Sequence, residues 1–227
     1  IIAFTECLGT VEMVAEIKQK MRMHPEICTF VILPTICENS QNTLIVLGPG
    51  GIECLRHNKA TPFIMTDKKG VAWREELKYD NHIPVLVTKE LGMVAFPICA
   101  EFLDPEYFRV MMEEGMVDTI ICPAFSPGVQ AFIDTMLKGS AKKILQIYIN
   151  TCSSKQVSRK KNVAEPLGMV HLPYVTFKGG SEKTALIKIQ RECEGNCSEM
   201  LCYFDIVISY NIDLQEFYIT KQHCRCA

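Results

Sequence analysis

The segment FPICAEFLDPE, residues 96–106, combines a cysteine with several acidic residues at a predicted strand-to-helix turn. Cys99 ends an apolar, strand-like run, and Asp104 and Pro105 are typical first residues of a helix. Such a turn presents a thiol for attack and leaves neighbouring backbone N–H groups free to bind an oxyanion. Cys99 is therefore the candidate nucleophile.

A nucleophilic thiol needs a base and a nearby positive charge. The five histidines lie in polar or proline-rich segments without a pairing signal, which favours a carboxylate and a lysine instead. Glu6 ends the first predicted strand, in IIAFTE. Lys59 follows NTLIVLGPGGIECL, which predicts two strands joined by a glycine-rich turn. Taken singly, each residue is typical of a surface charge; in order and together with Cys99, they form a candidate site.

These three segments together resemble the nitrilase, or carbon–nitrogen hydrolase, superfamily, whose members use a Glu-Lys-Cys triad. The family's cysteine motif is matched in PICAEFLDPE by Ile98, Cys99, Glu101, Pro105 and Glu106. The segments VDTIICPAFSPG and ILQIYINTC are similar to the strand and loop that wall the family's active site and to its later strand ending in Asn. The resemblance covers residues 1–150; beyond them only a hairpin around PLGMVHLPYVTFKGG is similar.

The chain departs from the family's pattern near its start. Thr5 stands where the family usually has Pro, the family's first strand is missing, and the segment from Glu6 to Lys59 is short. We therefore expect a fragment of a longer chain in which part of the family's helical layer is absent. Three further lysines remain alternatives for the lysine role: Lys68, Lys69 and Lys78.

The resemblance implies a role for each candidate residue. Glu6 would act as general base toward the Cys99 thiol and then as acid toward the leaving amine. Lys59 and the Ala100 N–H would stabilise the tetrahedral oxyanion. The family's second glutamate, which orients the lysine or the substrate, is one of the two acids in WREEL, and the sequence does not choose between Glu75 and Glu76.

Two more residues complete the predicted site. Glu101 belongs to the cysteine motif as a supporting acid, and Phe125, in PAFSPG, is expected to contact substrate. A nucleophilic serine in PAFSPG is disfavoured because the Gly-x-Ser-x-Gly frame is absent. The implied activity is hydrolysis of a non-peptide carbon–nitrogen bond, amidase-like, through a Cys99 thioester. It takes a small-molecule amide-type substrate and needs no metal and no organic cofactor.

Short Val- and Ile-rich runs alternate with segments of helical spacing, which predicts an α/β fold. Strands are predicted at 1–4, 28–34, 42–48, 83–88, 93–99, 117–124, 144–150, 184–190 and 203–212, and helices at 9–23, 104–115 and 128–143. The resemblance implies a four-layer α-β-β-α sandwich of the nitrilase type that lacks its first strand, in one domain over 1–227. It also implies a homodimer through 104–115 and 128–143. The basic stretch 153–162 is predicted to be an exposed loop.

Composition excludes several other classes of protein. The 227 residues are 48% hydrophobic and 22% charged with a net charge of −2, which is typical of a globular protein and gives no sign of nucleic-acid or membrane binding. Twelve cysteines in a chain with a full core, many of them in apolar runs, favour small buried thiols in a reducing, cytoplasmic compartment over a disulfide scaffold.

Two alternatives remain open. One is a non-catalytic nitrilase-fold module that binds or regulates within a longer protein, which the missing strand and Thr5 favour. The other is a zinc-binding tail, since six potential ligands fall in the last 35 residues, although only the first pair has a spacing typical of zinc. These are Cys193, Cys197, Cys202, His223, Cys224 and Cys226.

Overall fold

The computed structural model describes residues 1–26, 28–67, 69–78, 82–126, 128–137, 144–150, 168–172 and 186–189, and the backbone of 202–211 and 216–226. The strands in these ranges are β1 (Ile2–Ala3), β2 (Val31–Ile32), β3 (Ile36–Glu38), β4 (Gln41–Leu47), β5 (Glu53–Asn58), β6 (Ile64–Thr66), β7 (Ala72–Arg74), β8 (Val85–Thr88), β9 (Gly92–Ala95), β10 (Thr119–Ala124), β11 (Leu145–Asn150), β12 (Gly168–His171), β13 (Leu186–Ile189), β14 (Cys202–Asn211) and β15 (Glu216–Cys226). The α-helices are α1 (Val11–Met23), α2 (Pro105–Glu113) and α3 (Gln130–Leu137).

The first sheet is built around β4. One edge of β4 pairs with β2 and β3, and β1 runs parallel to β2; the other edge pairs with β5. The turn between β4 and β5 is a 3₁₀ turn at Pro49–Gly51, as the glycine-rich segment predicts. Gly51 has φ +73° there, and a Cβ on it would lie 2.6 Å from the Lys18 carbonyl oxygen of α1. Glycine at this position therefore lets the helix approach the hairpin.

The second sheet has the order β13-β12-β11-β10-β9-β8. Its three central strands, β9, β10 and β11, are parallel, and the outer strands pair antiparallel. All six residues of β10 are buried, which agrees with its continuous apolar run TIICPA. Two hairpins, β6–β7 and β14–β15, form separate two-stranded sheets.

Apolar side chains join the layers. On one side of the first sheet, Val14 and Met21 of α1 pack with Ile45 in one buried cluster. The alternate residue Leu44 belongs to a larger cluster that includes Val94 of the second sheet. The first sheet therefore lies between α1 and the second sheet. Helices α2 and α3 contribute to the larger cluster, and their position as a fourth, outer layer stays a prediction.

The α/β fold predicted from the sequence is confirmed, and each predicted strand and helix overlaps an observed one. Thr10 and Asp104 cap α1 and α2 as their side-chain chemistry predicts. The run 93–99 stops being a strand at Ala95, two residues before Pro97, which lacks the N–H that a strand ladder needs. The sequence does not predict β3, β6 or β7, because three residues are too few to show a period.

Some predictions fall outside the described residues. The loop at 153–162 lies there entirely, as do the end of the third predicted helix and the first zinc-ligand pair, Cys193 and Cys197. Within the described part of the chain, no helix combines the length and apolarity that a membrane span requires.

Candidate active site

Cys99 sits at the turn that the sequence predicts. It begins a 3₁₀ turn, Cys99–Leu103, between β9 and α2, and its φ of 49° lies in the left-handed region that a residue with a Cβ adopts only at some cost. The side chain is 2% exposed and lines the floor of a pocket. The backbone therefore departs from ordinary strand or helix geometry at the residue whose thiol lines the pocket.

Glu6 lies in the same pocket, and only Phe4 and Thr5 separate it from the strand β1. It is buried and accepts three hydrogen bonds: from Lys59 Nζ at 2.8 Å, from Asn42 Nδ2 at 2.8 Å and from the backbone N–H of Phe125 at 2.8 Å. These donors come from β4, the end of β5 and the loop after β10. The negative charge of Glu6 also acts on the Cys99 thiol and raises its pKa. The carboxylate therefore joins the two sheets at the point where the thiol lies.

Lys59 directly follows β5, and its side chain is 1% exposed. Its backbone N–H donates to the Asn42 carbonyl oxygen at 2.9 Å, and its ammonium contacts Glu6 at 2.8 Å and Glu75 at 2.7 Å. Burial acts to lower the pKa of Lys59, but the charge of Glu6 and the hydrogen bonds to Glu6 and Glu75 raise it above its ordinary value. The ammonium group is therefore charged at neutral pH.

The structure distinguishes Glu75 from Glu76, the two acids between which the sequence does not choose. Glu75 accepts from Lys59, from Asn42 Nδ2 at 3.2 Å and from the Phe63 N–H at 2.9 Å. Burial acts to raise its pKa, but the hydrogen bonds from Lys59 and Phe63 leave the pKa lowered overall. Glu76 is exposed and lines a neighbouring pocket instead. Glu75 is the acid that contacts the lysine.

Glu101 holds the cysteine turn to the lysine loop. Its carboxylate is fully buried and accepts from the Ile98 N–H at 2.6 Å, from the Ala60 N–H and from the His57 ring at Nε2, 2.8 Å away. Ile98 precedes Cys99, and Ala60 follows Lys59. One side chain therefore sets the relative position of the two segments, although it does not line the pocket.

The thiol of Cys99 is held in its neutral form. Burial and the negative charge of Glu6 raise its pKa to about 12, against the smaller opposing effects of Lys59 and the Phe125 N–H. A thiol with this pKa is almost wholly protonated at pH 7. It becomes a nucleophile there only if a neighbouring base removes the proton as the sulfur attacks.

The pocket above Cys99 has a volume of about 250 Å³. Glu6, Lys59, Glu75 and Cys99 line it together with apolar and aromatic side chains, those of Phe63, Met65, Trp73 and Phe125. The hairpin β6–β7 supplies two of them, Met65 and Trp73. Phe125 is 49% exposed and lines the pocket, and its contact with substrate stays a prediction.

The structure also locates the remaining candidates. Ala100 directly follows Cys99 in the 3₁₀ turn. The role of its N–H in binding an oxyanion stays a prediction. The exposed Lys69 and Lys78 line no pocket with the thiol, and Lys68 lies outside the described residues.

Sequence reasoning missed two residues. His57 is buried against Glu101, a partner that no signal in its local sequence indicates. Asn42 bridges Glu6 and Glu75 through one amide nitrogen. A buried asparagine opening an otherwise apolar strand, NTLIVLG, was the available signal for it.

A metal site finds no support in the part of the chain with described side chains, where no cluster of three or more His, Cys, Asp or Glu residues could hold an ion. The zinc alternative rests on residues whose side chains lie outside that part, so it is not tested by this geometry.

No protein-family model matches the chain, and no curated protein matches its sequence. Among solved structures, a mutant of the amidase from Nesterenkonia sp. AN1, with acrylamide added at its active-site cysteine, is 15% identical over 64% of this chain and 58% of that chain, with a TM-score of 0.46. Nit3 of Saccharomyces cerevisiae, from branch 10 of the nitrilase superfamily, is 15% identical over 74% of this chain and 59% of that chain, with a TM-score of 0.46.

The Nesterenkonia amidase is likewise from the nitrilase superfamily, which is the superfamily that the motifs of this chain resemble. The chain spans 58% and 59% of the lengths of these two proteins, less than two thirds of each.

Proposed function

We propose that this chain is a carbon–nitrogen hydrolase that cleaves a small non-peptide amide through a Cys99 thioester. One observation carries the proposal: Glu6, Lys59 and Cys99, from three distant segments, line one pocket, with the lysine ammonium 2.8 Å from the Glu6 carboxylate. Buried charges are costly, and a pocket that concentrates them beside a thiol is typical of a catalytic site.

The first half of the reaction forms the thioester. Cys99 Sγ attacks the amide carbonyl carbon while Glu6 accepts the thiol proton. Because the pKa of Cys99 is raised to about 12, a free thiolate is scarce at neutral pH, and proton transfer to Glu6 accompanies attack. Glu6 then gives the proton to the leaving nitrogen, and the amine departs as the carbonyl re-forms.

The second half releases the acid. A water molecule gives its proton to Glu6 and attacks the thioester carbonyl, and the Cys99 sulfur leaves and takes a proton back. In both halves the negative oxygen of the tetrahedral intermediate is stabilised by the Lys59 ammonium and the Ala100 N–H. Removal of one such donor typically costs about 3 kcal/mol in the transition state.

Glu75 keeps the lysine in place during this sequence. Its carboxylate contacts Lys59 at 2.7 Å and also receives the Phe63 N–H, so its position is fixed by the backbone as well as by the charge. The amide-type substrate and the homodimer that the resemblance implies belong to the same proposal. We expect the dimer to involve the surfaces of α2 and α3.

The test is ammonia release from a panel of simple aliphatic and aromatic primary amides. We expect turnover by the unaltered chain and none by Cys99→Ala, with Cys54→Ala as the matched control because Cys54 is an exposed cysteine outside the pocket. Electrospray mass spectrometry of the acid-quenched reaction should find the acyl group on Cys99. Turnover that survives Cys99→Ala would overturn the proposal, and no turnover or acylation with any amide would favour the non-catalytic module.

A further inference from the structure

Two cysteines lie with their sulfur atoms 3.1 Å apart at the rim of the pocket. Cys7 and Cys37 are both exposed and both in the free thiol form, although thirty residues separate them along the chain. Cys7 lines the pocket that holds Cys99, and Cys37 lines the neighbouring pocket. Two thiols in contact and open to solvent are the arrangement that a reversible disulfide requires.

The backbone holds these two sulfur atoms in position. Cys7 has φ +60°, in the left-handed region, and its N–H donates to Thr35 Oγ1 at 2.8 Å. Cys37 is the middle residue of β3, where it pairs with Asn42 of β4. Both thiols therefore belong to the framework of the first sheet.

We propose that Cys7 and Cys37 are a site of reversible oxidation, where a hydroperoxide converts the two thiols into a disulfide that lowers turnover at the neighbouring pocket. The effect on turnover rests on the proposed function, and formation of the disulfide does not. The Cys37 thiolate attacks the outer peroxide oxygen and becomes a sulfenic acid, releasing water or an alcohol. The Cys7 sulfur then displaces water from that sulfenic acid to form the S–S bond. A dithiol reductant returns both thiols.

The electrostatics agree with this order of events. The hydrogen bond between the two thiols raises the pKa of Cys7 and lowers the pKa of Cys37, which assigns the nucleophilic role to Cys37. Cys99 and Cys122 are both buried, and burial raises the pKa of each thiol. They are consequently poorer targets for the oxidant, although Cys99 lines the pocket.

Closure of the disulfide reaches the proposed catalytic residues through the backbone. The S–S bond length is about 2.05 Å, so the two sulfur atoms must approach by roughly 1 Å. Cys7 follows Glu6, and Cys37 pairs with Asn42, whose side chain donates to both Glu6 and Glu75. Catalytic geometry tolerates only about 0.5 Å, and a 1 Å shift can cost about a hundredfold in rate. We expect turnover to fall at least tenfold.

The experiment treats the reduced chain with hydrogen peroxide, blocks free thiols with N-ethylmaleimide and maps the linked peptides by mass spectrometry. We expect a peptide pair joined at Cys7 and Cys37, a loss of amide turnover and full recovery with dithiothreitol. Cys37→Ser should turn over amides normally before oxidation and keep that turnover under peroxide. Cys54→Ser, which removes an exposed thiol elsewhere, should respond like the unaltered chain.

Three results would overturn the proposal: no link between Cys7 and Cys37, inactivation that persists in Cys37→Ser, or a link that leaves turnover unchanged. If the reduced chain turns over no amide, the proposed function fails on that ground alone. Peptide mapping then still tests the disulfide, and the alkylation rate of Cys99 before and after oxidation serves in place of turnover. An unchanged rate would overturn the coupling to the pocket.

Discussion

Glu6 and Glu101 are two buried carboxylates that each accept three hydrogen bonds, yet they occupy different surroundings. Glu6 receives donors from the side chains of Lys59 and Asn42 and from one backbone N–H, and it faces the pocket. One of its partners carries a full positive charge. It therefore lies where a proton and a substrate can both reach it.

Glu101 receives two backbone N–H groups, those of Ile98 and Ala60, and the ring of His57. It is 0% exposed and does not line the pocket. Backbone donors give a carboxylate a fixed position, so Glu101 sets the geometry between the cysteine turn and the lysine loop. The difference teaches that burial and the number of hydrogen bonds do not separate these two carboxylates. Access to the pocket does, and it is the reason that Glu6 is the one proposed to react.

The largest expected effect separates these two carboxylates. Glu6→Gln removes the proton acceptor, and we expect turnover to fall about 10²- to 10⁴-fold. Glu101→Gln places an amide NH₂ against an N–H donor, and we expect the free energy of unfolding to fall by about 1–3 kcal/mol with a turnover loss at least tenfold smaller than for Glu6→Gln. Amide turnover and urea denaturation of both variants measure the two effects. Equal turnover losses would remove the distinction.

The alkylation rate of Cys99 gives a second test of the comparison, because Glu6→Gln should raise this rate while it lowers turnover. Burial and Glu6 raise the pKa of Cys99 to about 12, so labelling by iodoacetamide should rise about tenfold per pH unit between pH 7 and 10. Glu6→Gln removes a charge that raises this pKa, and we expect labelling about tenfold faster at a given pH. Lys59→Met removes a charge that lowers the pKa of Cys99, so this variant should be labelled more slowly.

Peptide mapping of the alkylated cysteine at several pH values makes this measurement. Lys69→Met, an exposed lysine, is the matched control and should leave the profile in place. Slower labelling of Cys99 in Glu6→Gln would contradict the electrostatic account of the pocket.

The smallest expected effect concerns the neighbouring acids of WREEL. Glu75→Gln weakens the contact that holds the Lys59 ammonium, and we expect a loss of turnover of about tenfold, mostly in kcat because the lysine is proposed to stabilise the transition state. Glu76 is exposed and contacts no catalytic candidate, so Glu76→Gln should stay within twofold. Steady-state kinetics of the two variants measures this difference. A larger loss of turnover in Glu76→Gln would transfer the lysine-positioning role from Glu75 to Glu76.

Local sequence signals predicted much of this arrangement. Thr10 and Asp104 mark helix starts by their own capping chemistry, and the turn at Cys99 follows from an apolar run that meets a proline. The two strands around the glycine-rich turn follow from their composition. The partners of Asn42 and His57 could not be assigned in this way, because they lie 33 or more residues away in sequence.

By itself, the sequence determined the candidate chemistry: the nucleophile, the carboxylate and the lysine, each at or soon after the end of a predicted strand. Only the tertiary structure decided that Glu75 is the acid that contacts Lys59 and that the Cys7 and Cys37 sulfur atoms are in contact. It also decided that Glu101 binds the backbone of the cysteine turn and does not line the pocket. The reason is physical. Strand ends and turns are set by interactions over a few residues, whereas the distance between two side chains on different strands depends on how the sheets pair and pack.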